Sequence, residues 1–238
     1  MFSIIKISMK KLVVLTGSGI SAESGLKTFR ETGGLWEDYD VMEVASYSGW
    51  MKDQELVLRF YNERRSQLKD AVPNEGHKGL VDLEDSYDVY IITQNVDNLH
   101  ERAGSSKVLH LHGLLTHARS TGDSSLVYDI GYSPINKGDT CEKGFQLRPD
   151  IVWFGEAVPA IEEAAEITSN ADIFIVIGTS LVVYPAASLI DFVPKNARVF
   201  LIDPNEVSAP QYRHIEFIRE KAGKGVMLLK QLLANERF

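Results

Sequence analysis

Four groups of residues in this 238-residue chain have types and spacings that could do chemistry. Gly17-Ser18-Gly19-Ile20-Ser21-Ala22 fits G-x-G-x-x-G/A. In that pattern glycines permit a tight turn and close backbone approach to a pyrophosphate, and amides at a helix start hold the phosphate charge. The motif alone also fits a plain strand-to-helix turn. Gln94, Asn95 and Asp97 bring two amides and a carboxylate together. They can bond ribose hydroxyls or a carboxamide, or simply cap the next helix. His110 and His112 each offer an imidazole that titrates near working pH, and spacing does not choose between them. Tyr61 and Arg64, at i and i+3 on a helix, share a face. A guanidinium and a phenol there can receive a carboxylate. The same pair fits an exposed helix face with an ordinary charge pair to Glu63 or Glu55.

The elements that must position these groups are legible as apolar runs. Leu12–Leu15, Val89–Ile92, Ile173–Ile177 and Val199–Ile202 read as parallel strands buried on both faces. Helical patterns fall between them, at roughly 54–69, 75–84, 160–170, 185–192 and 225–233. Alternating strand and helix implies an α/β fold, a Rossmann-like doubly wound parallel sheet, with ligands beyond the carboxyl ends of the strands. The stretch Thr116–Leu147 breaks the alternation and reads as a small inserted domain. The glycine loop therefore suggests NAD. An ordinary dehydrogenase would place an acidic residue about 20 residues on, at the end of a second strand. This chain has a loop there, Thr28–Trp36, which speaks against hydride transfer.

Composition narrows the classes further. Hydrophobic residues make up 44%, ample for a core, and the net charge of −8 argues against a nucleic-acid binder while leaving room for a basic, lysine-bearing ligand. No apolar run approaches the roughly 18 residues of a membrane span. Met1–Lys11 is only weakly like a signal peptide, and Met9 offers a second start. The single cysteine, Cys141, excludes an internal disulfide, and the chain reads as cytoplasmic.

Further blocks then match a family. Gly17-Ser-Gly-Ile-Ser-Ala-Glu-Ser-Gly25 with Phe29-Arg30, Thr93-Gln94-Asn95-Val96-Asp97-Asn98-Leu99-His100, and His110-Leu111-His112-Gly113 resemble sirtuin signatures. Val152–Glu156, Gly178-Thr179-Ser180 and Val183–Ala187 follow in family order, from about residue 12 to 222. The similarity is to bacterial sirtuins that also remove acidic acyl groups. It implies an NAD-dependent protein-lysine deacylase, an acyl-transfer enzyme that consumes NAD. In the reaction so implied, the acyl-lysine oxygen displaces nicotinamide at C1′ of the ribose. The products are free lysine, nicotinamide and O-acyl-ADP-ribose. The implied domains are a large one at about 10–35, 75–115 and 150–238, and a small one at about 36–74 and 116–149.

The resemblance also implies roles. His112 takes the position of the base, with Asn95 and Asp97 as further catalytic residues and His110 structural. NAD would be held by Gly17, Ser18, Gly19, Ile20, Ala22, Glu23, Phe29, Arg30, Trp36, Gln94, Asn95, Asp97, Gly178, Thr179, Ser180, Asp203, Asn205 and Ala222. Asp203 stands where the family often has Asn. Tyr61 and Arg64 would receive the carboxylate of succinyl- or malonyl-lysine. Val152, Phe154, Gly155 and Val182 would contact the substrate, an extended peptide between 152–156 and 181–184, and such backbone pairing reads little sequence. Most sirtuins hold zinc on four cysteines. Here Ala118–Ser120 and Cys141–Gly144 stand in those places, so no zinc is expected. An NAD(P)-dependent oxidoreductase, a binding module without turnover, and ADP-ribosyl transfer are the competing readings.

Overall fold

Continuous apolar runs become the inner strands of one parallel sheet. The computed structural model describes residues 9–27, 39–207 and 213–235. Its main strands are β1 (Lys11–Thr16), β2 (Asp88–Thr93), β3 (Val108–His110), β7 (Ile173–Ile177), β8 (Arg198–Ile202) and β9 (Glu216–Ile218). They lie in the order β3-β2-β1-β7-β8-β9, all parallel. The four expected strands are its centre. The two edge strands, β3 and β9, are three residues each and only partly buried, so they carry no continuous apolar signal.

Alternate side chains of each central strand enter opposite layers, as a pleated strand requires. Leu12, Val14, Ile175 and Phe200 pack with α4 (Glu75–Leu83) and α7 (Ala222–Asn235). Val13, Leu15, Phe174 and Val176 pack on the other face with α6 (Ile161–Ser169) and with the 3-10 helix Ala186–Phe192. That last segment was expected as a helix, and its turns close with i to i+3 bonds such as Ser188 N–H to the Pro185 carbonyl. The sheet is therefore doubly wound. Its order reverses between β1 and β7, which leaves a crevice at their carboxyl ends.

The stretch read as an insertion is a second sheet. β4 (Gly113–Ser120) pairs antiparallel with β5 (Val127–Asp129) and β6 (Leu147–Ile151). Helices α1 (Val41–Val44), α2 (Tyr47–Lys52) and α3 (Gln54–Asp70) cover it through Trp50, Val57, Phe60, Tyr61, Leu115, Ala118 and Trp153. Arg65 of α3 is fully buried, and among the described residues no carboxylate forms an ion pair with it. Its Nε donates to the Leu115 carbonyl at 2.6 Å, and its Nη1 to Asn62 Oδ1 at 2.7 Å. Burial brings its pKa down to about 10, so it remains a cation at neutral pH.

The small sheet is closed by hydrogen bonds that amides make to a hydroxyl and to carbonyls. Ser120 Oγ accepts from the Gly122 and Asp123 amides at 3.2 Å each, and Cys141 Sγ donates to it at 3.3 Å. Gln146 Nε2 stands 2.9–3.0 Å from the Asn136, Asp139 and Leu147 carbonyls, and its Oε1 accepts from Gly138 N–H at 2.7 Å. Asp123 is held by Lys143 at 2.6 Å. Among the described residues no three His, Cys, Asp or Glu side chains converge as metal ligands, so the residues present do not fit a structural zinc. No helix among the described residues is long and apolar enough to cross a membrane.

We expect a chelator such as EDTA to leave the melting temperature unchanged. Gln146→Ala should lower stability by about 1–3 kcal/mol through carbonyls left unpaired. Scanning calorimetry on both samples checks this, and a large chelator-induced drop would contradict it.

Candidate functional site

Register brings the strand ends level. Thr16 pairs with Thr93 and Ile177, Thr93 with His110, and Ile177 with Ile202. The segments beginning at Gly17, Gln94, Leu111, Gly178 and Asp203 therefore open on one edge of the sheet, at the β1/β7 crevice.

The glycine loop is folded against Gly178, not merely around empty space. Gly17 N–H donates to the Ile177 carbonyl at 3.0 Å, and Gly19 N–H to the Gly178 carbonyl at 2.9 Å. A Cβ on Gly19 would lie 2.6 Å from Gly178 Cα, and one on Gly17 would lie 2.7 Å from Thr179 Cβ. Gly178 has φ +62°, and a Cβ there would meet Ile20 N at 2.5 Å. The helix start anticipated from the motif is only a pair of three-residue 3-10 turns, Ser18–Ile20 and Ala22–Ser24. The Ile20 and Ser21 amides are spent on the Gly17 and Ser18 carbonyls. Glu23 is turned away from the crevice to the start of α7, where it accepts from Gly223 N–H at 2.8 Å. Ala222 stands beside it, next to Gly76 of α4.

The Gln94–Asp97 segment meets this loop side chain to side chain. Gln94 Nε2 donates to Thr179 Oγ1 at 3.1 Å. Asn95 Nδ2 is 3.2 Å from both the Gly17 carbonyl and Ser21 Oγ, which leaves its Oδ1 as an acceptor. Asp97 stands just ahead of α5 (Leu99–Ala103) and reaches the glycine loop as well: one oxygen accepts from Leu99 N–H at 3.1 Å, and the other accepts from Ser21 Oγ at 3.0 Å. Burial pushes its carboxyl pKa up, against the pull of those two bonds. Asp203 forms a turn with Asn205 N–H at 2.9 Å at the end of β8. Phe29, Arg30 and Trp36 lie outside the described residues.

The two candidate bases separate by their partners. Burial lowers the His110 pKa, but Glu101, 2.7 Å from Nε2, and the Asn95 carbonyl, 3.0 Å from Nδ1, outweigh it and the net shift is upward. Both ring nitrogens thus face acceptors, which suits an imidazolium. His112 is shifted down by burial, with Nδ1 3.0 Å from the Gln94 carbonyl. A neutral ring protonated at Nδ1 keeps its lone pair on Nε2, as a base requires. The chain leaves His112 through Gly113, at φ +80°, and enters the small sheet.

Sequence reasoning missed the buried string behind the crevice. Thr16 Oγ1 donates to Thr93 Oγ1 at 2.8 Å and lies 3.1 Å from His100 Nε2. The His100 ring stands edge-on to that of His77, centroids 4.9 Å apart. Asn74, the N-cap of α4, donates to the Ile20 carbonyl at 2.7 Å and to Ser24 Oγ at 2.9 Å. The available signals were the threonines that end two apolar runs and the Pro73-Asn74-Glu75 cap pattern.

At the small-layer side, Tyr61 is buried and its oxygen accepts from Trp153 Nε1–H at 3.0 Å. Burial raises its pKa to about 12. Arg64 is half-buried; burial lowers its pKa, while Tyr61 and Asp97 act in the opposite sense. Phe154 and Val182 are exposed, and Gly155 has φ +89°. Val152 N–H donates to the His112 carbonyl at 3.0 Å, and Phe154 N–H to that of Ala45 at 2.9 Å. Leu181 has φ +55°, which is strained for a side chain of that size.

Comparison with known proteins agrees with this geometry. The family described as Sir2 matches residues 17–185. An NAD-dependent protein deacylase of Bacteroides thetaiotaomicron is 53% identical over 233 residues, covering 94% of this chain and 98% of that protein. One from Helicobacter pylori is 55% identical over 214 residues, covering 90% and 93%. A Sir2 homologue solved as its NAD complex is 39% identical, with TM-score 0.84 over 94% of this chain and 91% of the other. A Sir2–p53 peptide–NAD complex is 28% identical, with TM-score 0.78 over 95% and 94%.

The buried histidines predict a pH response. Burial pushes His77 down to about 4 and His100 well below the ordinary value. The unfolded chain binds these protons near pH 6.5 and the folded chain resists them. Their stability contribution is therefore complete above about pH 6.5 and declines on acidification toward pH 4, by up to about 1.4 kcal/mol per pH unit per histidine. Urea midpoints from pH 7.5 to 5 should fall, and His77→Phe should flatten the slope.

Proposed function

Because the chain belongs to the Sir2 family, with NAD as its co-substrate and protein deacylation as its reaction, we propose that it removes both acetyl and acidic acyl groups, succinyl and malonyl, from protein lysines. Nicotinamide and O-acyl-ADP-ribose are the products in this reading. The observation that supports the acidic-acyl part is the placement of Tyr61 and Arg64 one turn apart on α3, with Arg64 near enough to Tyr61 and Asp97 to feel both electrostatically.

The residues fit NAD through the Gly17–Gly178 approach, which leaves backbone and small side chains lining the crevice. In this assignment Gly17–Ala22 and Gly178–Ser180 hold the diphosphate side, and Asp203 and Asn205 the outer ribose. Gln94, Asn95 and Asp97 face the nicotinamide ribose and carboxamide. Asp97 retains acceptor capacity beyond its two bonds, since a carboxylate offers about four lone-pair sites. His112 draws the proton from a ribose hydroxyl at Nε2, a role typically worth 10²–10⁴ in rate. Its partner, the Gln94 carbonyl, fixes the productive tautomer. The acyl-lysine peptide lies extended between 152–156 and 181–184, contacting Val152, Phe154, Gly155 and Val182. A succinyl or malonyl carboxylate is received by the Arg64 fork and the Tyr61 hydroxyl, in a setting where partial desolvation strengthens the pair.

Mass spectrometry of acetyl and succinyl peptides with NAD tests this directly. His112→Tyr should cut both activities at least 100-fold. Arg64→Met should cut succinyl turnover tenfold or more while acetyl turnover stays within a few-fold. Unchanged succinyl activity in Arg64→Met would remove the acidic-acyl reading.

A further inference from the structure

We infer that Trp153 is a positioning residue for acyl selectivity, acting by orienting the hydroxyl of Tyr61; this rests on the acidic-acyl reading above. Trp153 and Tyr61 are both buried, and the indole Nε1–H lies 3.0 Å from the phenol oxygen. An indole nitrogen can only donate. The direction of this bond is therefore fixed, and the Tyr61 oxygen is the acceptor. The phenol proton must point away from Trp153. Among the described residues no hydrogen bond takes that proton, so it is left for a ligand oxygen. A carboxylate, which only accepts, is the matching partner. Without the indole N–H, the hydroxyl could rotate into the orientation in which its lone pair, not its proton, meets the carboxylate.

The indole is itself immobilised from three sides. Arg148 lies 3.3 Å above the ring centroid, and its guanidinium forks onto Glu156 at 2.7 and 3.0 Å. Glu156 Oε2 also accepts from Trp153 N–H at 2.8 Å, and Arg148 Nη2 donates to the Ile151 carbonyl at 2.9 Å. Trp50 packs against the ring at 5.6 Å. An acetyl group has no carboxylate and gains nothing from the arrangement. The segment 152–156 thereby joins the peptide-lining strand to the acyl end of the site.

The test compares kcat/KM for succinyl and acetyl peptides in Trp153→benzothienylalanine, which replaces the N–H by sulfur at nearly constant shape, and in Trp153→Phe. Each change is made alone and combined with Tyr61→Phe. The expected result is a succinyl-to-acetyl ratio reduced about tenfold by either change at 153, with acetyl turnover within a few-fold of wild type. In the Tyr61→Phe background the same change should produce no further drop, because coupled residues are not additive. Equal losses on both peptides, or an undiminished ratio in the benzothienylalanine protein, would overturn the inference. If the undiminished ratio accompanies a wild type that desuccinylates and an Arg64→Met that does not, the acidic-acyl reading survives alone. A wild type without succinyl turnover overturns both.

Discussion

The structure depends on one close approach, that of the β1 loop to the β7 loop. Two carbonyl-to-amide bonds and three glycines bring Gly17, Gly19 and Gly178 into backbone contact at the point where strand order reverses. A methyl group on Gly19 or Gly178 would collide with main chain, which cannot swing aside. From that seam Asn95 reaches the Gly17 carbonyl, Gln94 reaches Thr179, and Ser21 reaches Asp97. The glycines of a phosphate-binding motif are usually explained by the ligand they admit. Here they are also needed by the protein itself, since the loops that leave the paired strands β1 and β7 pack main chain against main chain.

Behind the seam the site is stiffened by buried polar groups that burial keeps neutral or tightly paired. Burial keeps His77 and His100 from protonating, and Glu101 and the Asn95 carbonyl draw the His110 pKa upward. His110 and His112, separated by Leu111 alone, shift in opposite directions because one ring meets a carboxylate and the other does not. The small layer follows the same logic with neutral amides: Gln146 and Asn62 satisfy loop carbonyls that would otherwise be exposed to a partly apolar interior.

The sheet was readable wherever burial on both faces forces an unbroken apolar run, as in Leu12–Leu15 and Ile173–Ile177. It was unreadable at β3 and β9, whose partial exposure removes that demand. The segment Thr116–Leu147 had little periodicity because short strands alternate there with turns and loops at 121–126 and 130–146, with a register shift between Leu114 and Ala118 at its start. Among site residues, local spacing left Asp97 between a helix start and the crevice, and its two oxygens reach one neighbour on each side, Leu99 N–H and Ser21 Oγ. Spacing alone did not separate His112 from His110, because what differs between them is the non-local partner of each ring nitrogen. The Trp153–Tyr61 bond spans 92 positions and leaves no local trace at either residue.

Gly113 gives the fold a mechanical property. The residue whose left-handed backbone turns the chain from the large sheet into the small one directly follows His112, and the His112 carbonyl is also tied to Val152. The junction between the two sheets thus lies one residue from the His112 ring, and the backbone that carries the ring is tied on both sides of that junction, so its place is set jointly by the large sheet and the small one.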